Sequence, residues 1–402
     1  MRSLHADQPS GPPSNRRRWA GPIVAVGLLL AFWLIFWPKR FSPPTEGMQD
    51  PRADSLTQAG ARPATPAGEG EGEVPQGNLR EEDRVPMPGC WQGLREFDQH
   101  ANLADMRAAI AAAVEGGDPL LASYLRERLA EMIGADPARA QTVLAWAKDA
   151  SGPELGILMG ALKDAPAVRE PGVADKLLSM GEDKTGSPDL RSAALDALET
   201  QHRFEPAALG RMKEIALDSE ADSAAWMATR TIGRVMKEDF QRTGVFEPYW
   251  KELLEVGKQS EETAVQILAL EMPSYADPVL RGDSIAELAE LLKKDPDRSV
   301  REMAAHRLSV TREPDRVLAV YREAFPTEKD ECVRWAIFRF TARVAGGGAL
   351  TMLAEFAATD PRFKEDHEDF MALYASGTVD FARIWMGKVE RHQCVHEEGM
   401  GH

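Results

Sequence analysis

Residues 297–305 read DRSVREMAA, and residues 330–338 read DECVRWAIF. Residues 187–195, SPDLRSAAL, are a third version of the same pattern. In each, an Asp or Ser stands three positions before Val or Leu, an Arg follows directly, and a pair of apolar residues comes three positions later. Asp297, Asp330 and Ser187 are residue types whose side-chain oxygen accepts from the free N–H groups of a helix start. Val300 and Ala304, Val333 and Ile337, and Leu190 and Ala194 are spaced four apart, so each pair lies on one side of a helix. Each stretch therefore predicts a capped helix with a buried stripe.

The pattern extends outward as a period. Ala122…Leu129, Leu155…Leu162, Arg191…Leu198, Ala225…Ile232, Thr263…Leu270 and Arg301…Leu308 align, and Arg334 opens the next unit. Their starts are 33, 36, 34, 38, 38 and 33 residues apart. That period fits one pair of antiparallel helices per unit. From about residue 100 onward, helical segments alternate with Gly/Pro/Asp turns and nothing reads as a strand. The expected fold is all-α: an α-solenoid of about seven antiparallel helix pairs over residues 90–390, with residues 391–402 as a tail.

The three best units resemble HEAT repeats, whose helices carry an Asp-x-x-Val-Arg-x-x-Ala-type core. The resemblance is weaker at 218–236 and 260–273 and faint before 165. It implies a protein-binding scaffold. Some HEAT-like proteins are bilin lyases, but no residue here supports that chemistry.

Arg191, Arg301 and Arg334 sit near helix starts, the unfavourable end of the helix dipole for a cation. A partner carboxylate or carbonyl, expected in the neighbouring repeat, would offset that conflict. The arginines then read as a structural ladder between repeats rather than an anion-binding row.

At the other end of the chain, residues 19–37 read WAGPIVAVGLLLAFWLIFW without one charge. As a helix this run spans roughly 28 Å, close to the hydrocarbon thickness of a bilayer. Trp19, Trp33 and Trp37 fall where interfacial aromatics prefer to lie. The run is longer than the apolar core of a signal peptide and lacks a small-residue cleavage site, so it predicts an uncleaved anchor. Arg16, Arg17 and Arg18 outweigh Lys39 and Arg40. Residues 1–18 are therefore expected as a short cytoplasmic tail of a single-pass inner-membrane protein, with the body in the periplasm or outside. Residues 41–89 hold eight Pro, seven Gly, nine acidic and four basic residues. They read as a disordered linker with a root-mean-square span of roughly 40 Å.

The net charge is −16, and residues 1–40 alone carry +5, so the remainder is strongly acidic. Such a body repels phosphate backbones, which makes nucleic acid a poor partner. In the tail, His392, Cys394 and His396 share one side of an extended chain. Two imidazoles and a thiolate suit Zn or Cu, against the plainer reading of a solvated tail. Cys90 and Cys394 bracket the folded region, but a bridge between them would need the tail to return far along the array. Cys332 reads as a small buried residue. Arg230, Arg234 and Lys237 form a basic stripe at i, i+4, i+7 that would suit an acidic peptide or lipid headgroup. Arg334, Arg339 and Arg343 form a looser one. The plainer reading of such stripes, and the commoner one, is a solvated helix face with local ion pairs.

No Ser/His/Asp set, nucleophile elbow, Walker loop or paired-carboxylate motif is legible, and no small-molecule substrate is evident. The leading expectation is a membrane-anchored, non-catalytic scaffold that binds partner proteins outside the cytoplasm. The alternative is a metal- or haem-handling periplasmic protein using the tail.

Overall fold

A computed structural model describes residues 98, 101–218, 220, 223–275, 282–377, 392 and 394. The anchor at 19–37, the linker at 41–89, Cys90 and His396 lie outside the described residues. Among those described, the chain is all-helical without a β-strand, and no helix is long and apolar enough to cross a membrane.

The helices form a repeat. A leading helix, α1 (Leu103–Gly116), is followed by pairs: α2 (Pro119–Ile133) with α3 (Pro137–Ala147), α4 (Gly152–Asp164) with α5 (Pro171–Glu182), and α6 (Pro188–Ala197) with α7 (Pro206–Ala216). Then come α8 (Ser223–Thr243) with α9 (Glu247–Gln259), α10 (Thr263–Glu271) with α11 (Asp283–Lys294), α12 (Arg298–Leu308) with α13 (Pro314–Thr327), and α14 (Glu331–Ala345) with α15 (Leu350–Thr359). A last helix, α16 (Lys364–Ala375), packs on α15. First helices pack on first helices along the row α2–α4–α6–α8–α10–α12–α14. Second helices form their own row beside it. The body is helical and repeat-like, as an α-solenoid is.

The helix starts are set by the residues that define the motif. Asp297 Oδ1 accepts from Ser299 N at 2.7 Å, Asp330 Oδ1 from Cys332 N at 2.9 Å, and Ser187 Oγ from Leu190 N at 3.2 Å. Asn102, Asp118 and Asp136 cap α1, α2 and α3 in the same way. Proline opens several helices, where its missing N–H costs nothing.

Val300, Ala304 and Leu308, and Val333, Ile337 and Ala336, are fully buried. First helices are covered by neighbours on both sides, so even polar Thr231 and Thr341 are buried, each hydroxyl donating to a backbone carbonyl. Two crossings are close at a glycine: a Cβ on Gly181 would stand 2.6 Å from Leu195 Cδ2, which would have to shift, and one on Gly233 would stand 2.6 Å from Met272 Cβ.

Candidate functional site

The arginines of the motif are held by specific partners. Arg301 Nε donates to Glu328 Oε2 at 2.8 Å and Nη2 to Glu328 Oε1 at 3.2 Å, while Nη1 reaches the carbonyl of Asp295 at 2.9 Å. Glu328 Oε1 also accepts from the backbone N–H groups of Lys329 and Asp330. One unit later, Arg334 Nη1 donates to Asp360 Oδ2 at 2.8 Å, and the guanidinium lies 5.6 Å from the Phe325 ring centroid.

Glu328 and Asp360 each stand just after the second helix of the arginine's own pair. The partner is thus the exit loop of the same pair, not the body of the neighbouring one. Arg191 differs: its Nε donates to the carbonyl of Gly181, at the end of the preceding second helix. It also lines a cleft of about 400 Å3 with Glu182, Lys184, Arg211, Glu214 and Asp218. Charges of both signs meet there, and Arg211 is already bound to Glu182. Asp360 is buried and lies well below the usual carboxylate range, because hydrogen bonds from Arg362 and then Arg334 outweigh the opposing effect of burial.

In the basic stripe of α8, Arg230 is drawn into ion pairs. Arg230 Nε lies 3.1 Å from Glu199 Oε1 and Nη1 lies 3.6 Å from Asp196 Oδ1; its guanidinium covers Trp226 at 5.7 Å. Lys163 of α4 reaches the same two carboxylates at 2.8 and 3.1 Å. Arg234 has interactions of its own, and Arg234 and Lys237 are half-buried. In the looser stripe, Arg339 is buried with its guanidinium 5.0 Å from the Phe340 ring centroid.

A second row of ion pairs was not singled out from the sequence. Arg211 of α7 binds Asp175 and Glu182 of α5. Lys213 binds Glu252 and Glu255 of α9, Lys258 binds Glu287 of α11, Lys293 binds Glu323 of α13, and Arg322 binds Glu355 of α15. These ties link second helix to second helix. The signal available in the sequence was Lys/Arg-to-Glu separations close to the repeat period.

The tail residues meet the end of the array. Cys394 is disulfide-bonded to Cys332, with Cα atoms 5.6 Å apart, and both residues are buried. The His392 ring stacks between Trp335, centroids 4.8 Å apart, and Phe363, centroids 4.7 Å apart. Its Nδ1 lies 2.8 Å from Glu331 Oε1 and its Nε2 lies 2.7 Å from Asp366 Oδ2. Burial opposes its protonation, but the hydrogen bonds to Asp366 and Glu331 outweigh that and raise its pKa above the ordinary value. Both ring nitrogens thus face carboxylate oxygens.

This corrects the reading of His392, Cys394 and His396 as one Zn or Cu site. The Cys394 sulfur is in a disulfide and offers no thiolate, and both His392 nitrogens are engaged. His396 lies outside the described residues. It also corrects Cys332 from a mere filler to a bridging residue. Glu302, Asp330 and Cys332 bring ligand-type atoms within 4.8 Å of one another, but the same disulfide removes the thiolate from that group. No protein-family model matches this chain, and no characterised protein matches it in sequence.

Proposed function

We propose that this chain is a membrane-anchored, non-catalytic scaffold of HEAT-like helix pairs that binds partner proteins outside the cytoplasm. The Cys332–Cys394 disulfide is the observation that supports this reading, because disulfides persist in oxidising compartments and are rare in the cytosol. It agrees with the orientation that the arginines at 16–18 give the apolar run at 19–37. The scaffold reading is supported by the repeat itself. Among the described residues, first helices and second helices form two rows of packed helices, an arrangement that offers an extended surface to a partner. The tether would hold that face near the bilayer and raise the local concentration of membrane partners.

Two measurements test this reading. Thiol labelling of intact spheroplasts with a membrane-impermeant reagent should modify Cys90, which follows the apolar run on the same side as the body. Labelling only after the inner membrane is lysed would place the body on the cytoplasmic side. Crosslinking of the full-length protein in its membrane, followed by affinity purification, should recover a defined protein partner; recovery of the protein alone would count against a scaffold.

A further inference from the structure

At the C-terminal end of the array lies a slot with two aromatic walls and two acidic ends. Trp335 of α14 and Phe363 of the turn before α16 form the walls, with centroids 4.8 and 4.7 Å from the enclosed ring. Glu331 of α14 and Asp366 of α16 stand at opposite edges of that ring. The slot encloses one flat ring, with its faces on aromatic rings and its two nitrogen edges on carboxylates.

We propose that Glu331, Trp335, Phe363 and Asp366 form a recognition slot for a planar cationic side chain, Arg or His, on a partner peptide. In the oxidised chain it is occupied by the protein's own His392 and held shut by the Cys332–Cys394 disulfide. The proposal rests on the scaffold reading and deepens it.

Three observations converge on it. The side chains of His392 and Asp366 are almost wholly buried and meet at 2.7 Å, although apolar side chains of similar volume commonly do as well or better for stability. A buried polar pair is better suited to selecting one occupant, since an occupant without matching polar edges loses that hydrogen bond. Secondly, two carboxylates face opposite nitrogen edges of one planar ring, an arrangement whose N–H edges a guanidinium also supplies. Arg362, whose Nη1 also reaches Glu331, lies at the rim rather than between the rings. Thirdly, the occupant is covalently locked two residues away, by a bond that chemistry can open and reclose.

The opening step is thiol–disulfide exchange with a dithiol reductant. One reductant thiolate attacks a sulfur of the bridge, and a mixed disulfide forms as one cysteine leaves as thiolate. The second reductant thiol displaces the remaining cysteine. The reductant becomes a disulfide, two electrons pass to the bridge, and Cys332 and Cys394 take up two protons. His392 is then held only by non-covalent contacts, and a partner side chain competes with it.

The test uses the full-length chain in detergent and a labelled peptide spanning residues 388–396 with Cys394→Ser. A full-length chain carrying His392→Ala and Cys394→Ser has an empty slot. It should bind the peptide roughly tenfold or more tighter than the oxidised wild-type chain does. The peptide with His392→Arg should bind comparably. Peptides with His392→Ala or His392→Lys should bind roughly tenfold more weakly, the latter because an ammonium is not planar. Adding Asp366→Asn to the empty-slot chain should remove the preference.

Equal binding of the His and Ala peptides overturns the proposal, as does equal binding by the oxidised wild-type chain. Should the doubly substituted chain lose its helical circular dichroism, wild-type chain reduced with dithiothreitol replaces it. Peptide binding must then rise on reduction, and no rise overturns the proposal. Capture of a membrane partner by the oxidised chain would leave the scaffold reading standing even where the slot fails. Peptide binding with no membrane partner would leave the slot alone.

Discussion

Cys394 is covalently joined to Cys332, 62 residues earlier and in the first turn of α14. The bridge therefore closes on the last repeat and needs no return along the array. Under non-reducing conditions a proteolytic digest should contain one linked peptide pair holding Cys332 and Cys394, with Cys90 carrying the alkyl label. Reduction should lower the unfolding free energy by about 2–4 kcal/mol, because the released loop regains freedom in the unfolded chain. In the Cys394→Ser chain the denaturation midpoint should not respond to reductant. A wild-type midpoint indifferent to reductant would show that the bridge is not formed.

Arg301 is bonded to Glu328 through two nitrogens, and both side chains are nearly buried. Arg301→Met keeps the packing of the stem and loses the charged bonds. It should destabilise the body by roughly 1–3 kcal/mol with helix content retained. Glu328→Gln should cost a similar amount, and the double substitution less than the sum of the two. An additive double mutant, measured by urea denaturation, would mean that the two residues act separately.

Asp360 and His392 titrate with opposite signs. The carboxyl of Asp360 is held below its ordinary value by Arg362 and Arg334, against burial. Its contribution is present above the unfolded value of about 3.9 and is lost as pH falls through the folded value. Asp360→Asn should lower stability at neutral pH and flatten the acid limb of the stability profile. The imidazole of His392 is raised despite burial, by Asp366 and then Glu331. Its contribution is complete below the unfolded value of about 6.5 and fades as pH rises through the folded value. The stability difference between wild type and His392→Gln should therefore shrink at alkaline pH. A difference that grows with pH would mean that His392 is neutral in the fold.

The ties between second helices are more exposed than the Arg301 pair. Lys293→Met removes a contact to a largely exposed Glu323 and should cost under about 1 kcal/mol, with the loss vanishing in high salt. Lys213 touches two carboxylates and is more enclosed; hydrogen bonds to Glu252 and Glu255 raise its pKa against the opposing effect of burial. Lys213→Met should cost more than Lys293→Met and should retain part of its effect in salt. Thermal unfolding at two ionic strengths compares them directly.

Gly233 allows α8 to approach the turn after α10. A methyl group there would meet Met272 Cβ, which no rotamer change removes. Gly233→Ala should cost about 1–3 kcal/mol although alanine favours helices. Met272→Ala should recover little of it, because the clashing Cβ stays. A stabilised Gly233→Ala protein would mean that the crossing is looser than described.

Much of the repeat was legible because its signals are local. Asp297 and Asp330 announce helix starts through hydrogen bonds to residues two and three positions on, and Val300 with Ala304 announces a buried stripe. The arginines' need for partners was legible from their place at helix starts, but not the choice of Glu328 and Asp360. Those lie 27 and 26 residues on, among many acidic residues. The tail was misread for a related reason. His392 and Cys394 are metal-ligand types at ligand-like spacing. Their alternatives, Glu331, Asp366 and Cys332, become neighbours only when α14 and α16 are packed.

The sequence by itself determined that the chain is helical, that its helices recur every 33–38 residues, and where each motif helix begins. These follow from caps, spacing and turn residues acting within about four positions, where backbone geometry leaves few choices. The tertiary structure alone decided which charges meet, that Cys394 pairs with Cys332, and that His392 lies between Trp335 and Phe363. A side chain's ionisation, hydrogen-bond partner and covalent bond depend on atoms within a few ångströms. Which atoms those are is set by how helices pack, and local sequence carries no record of that.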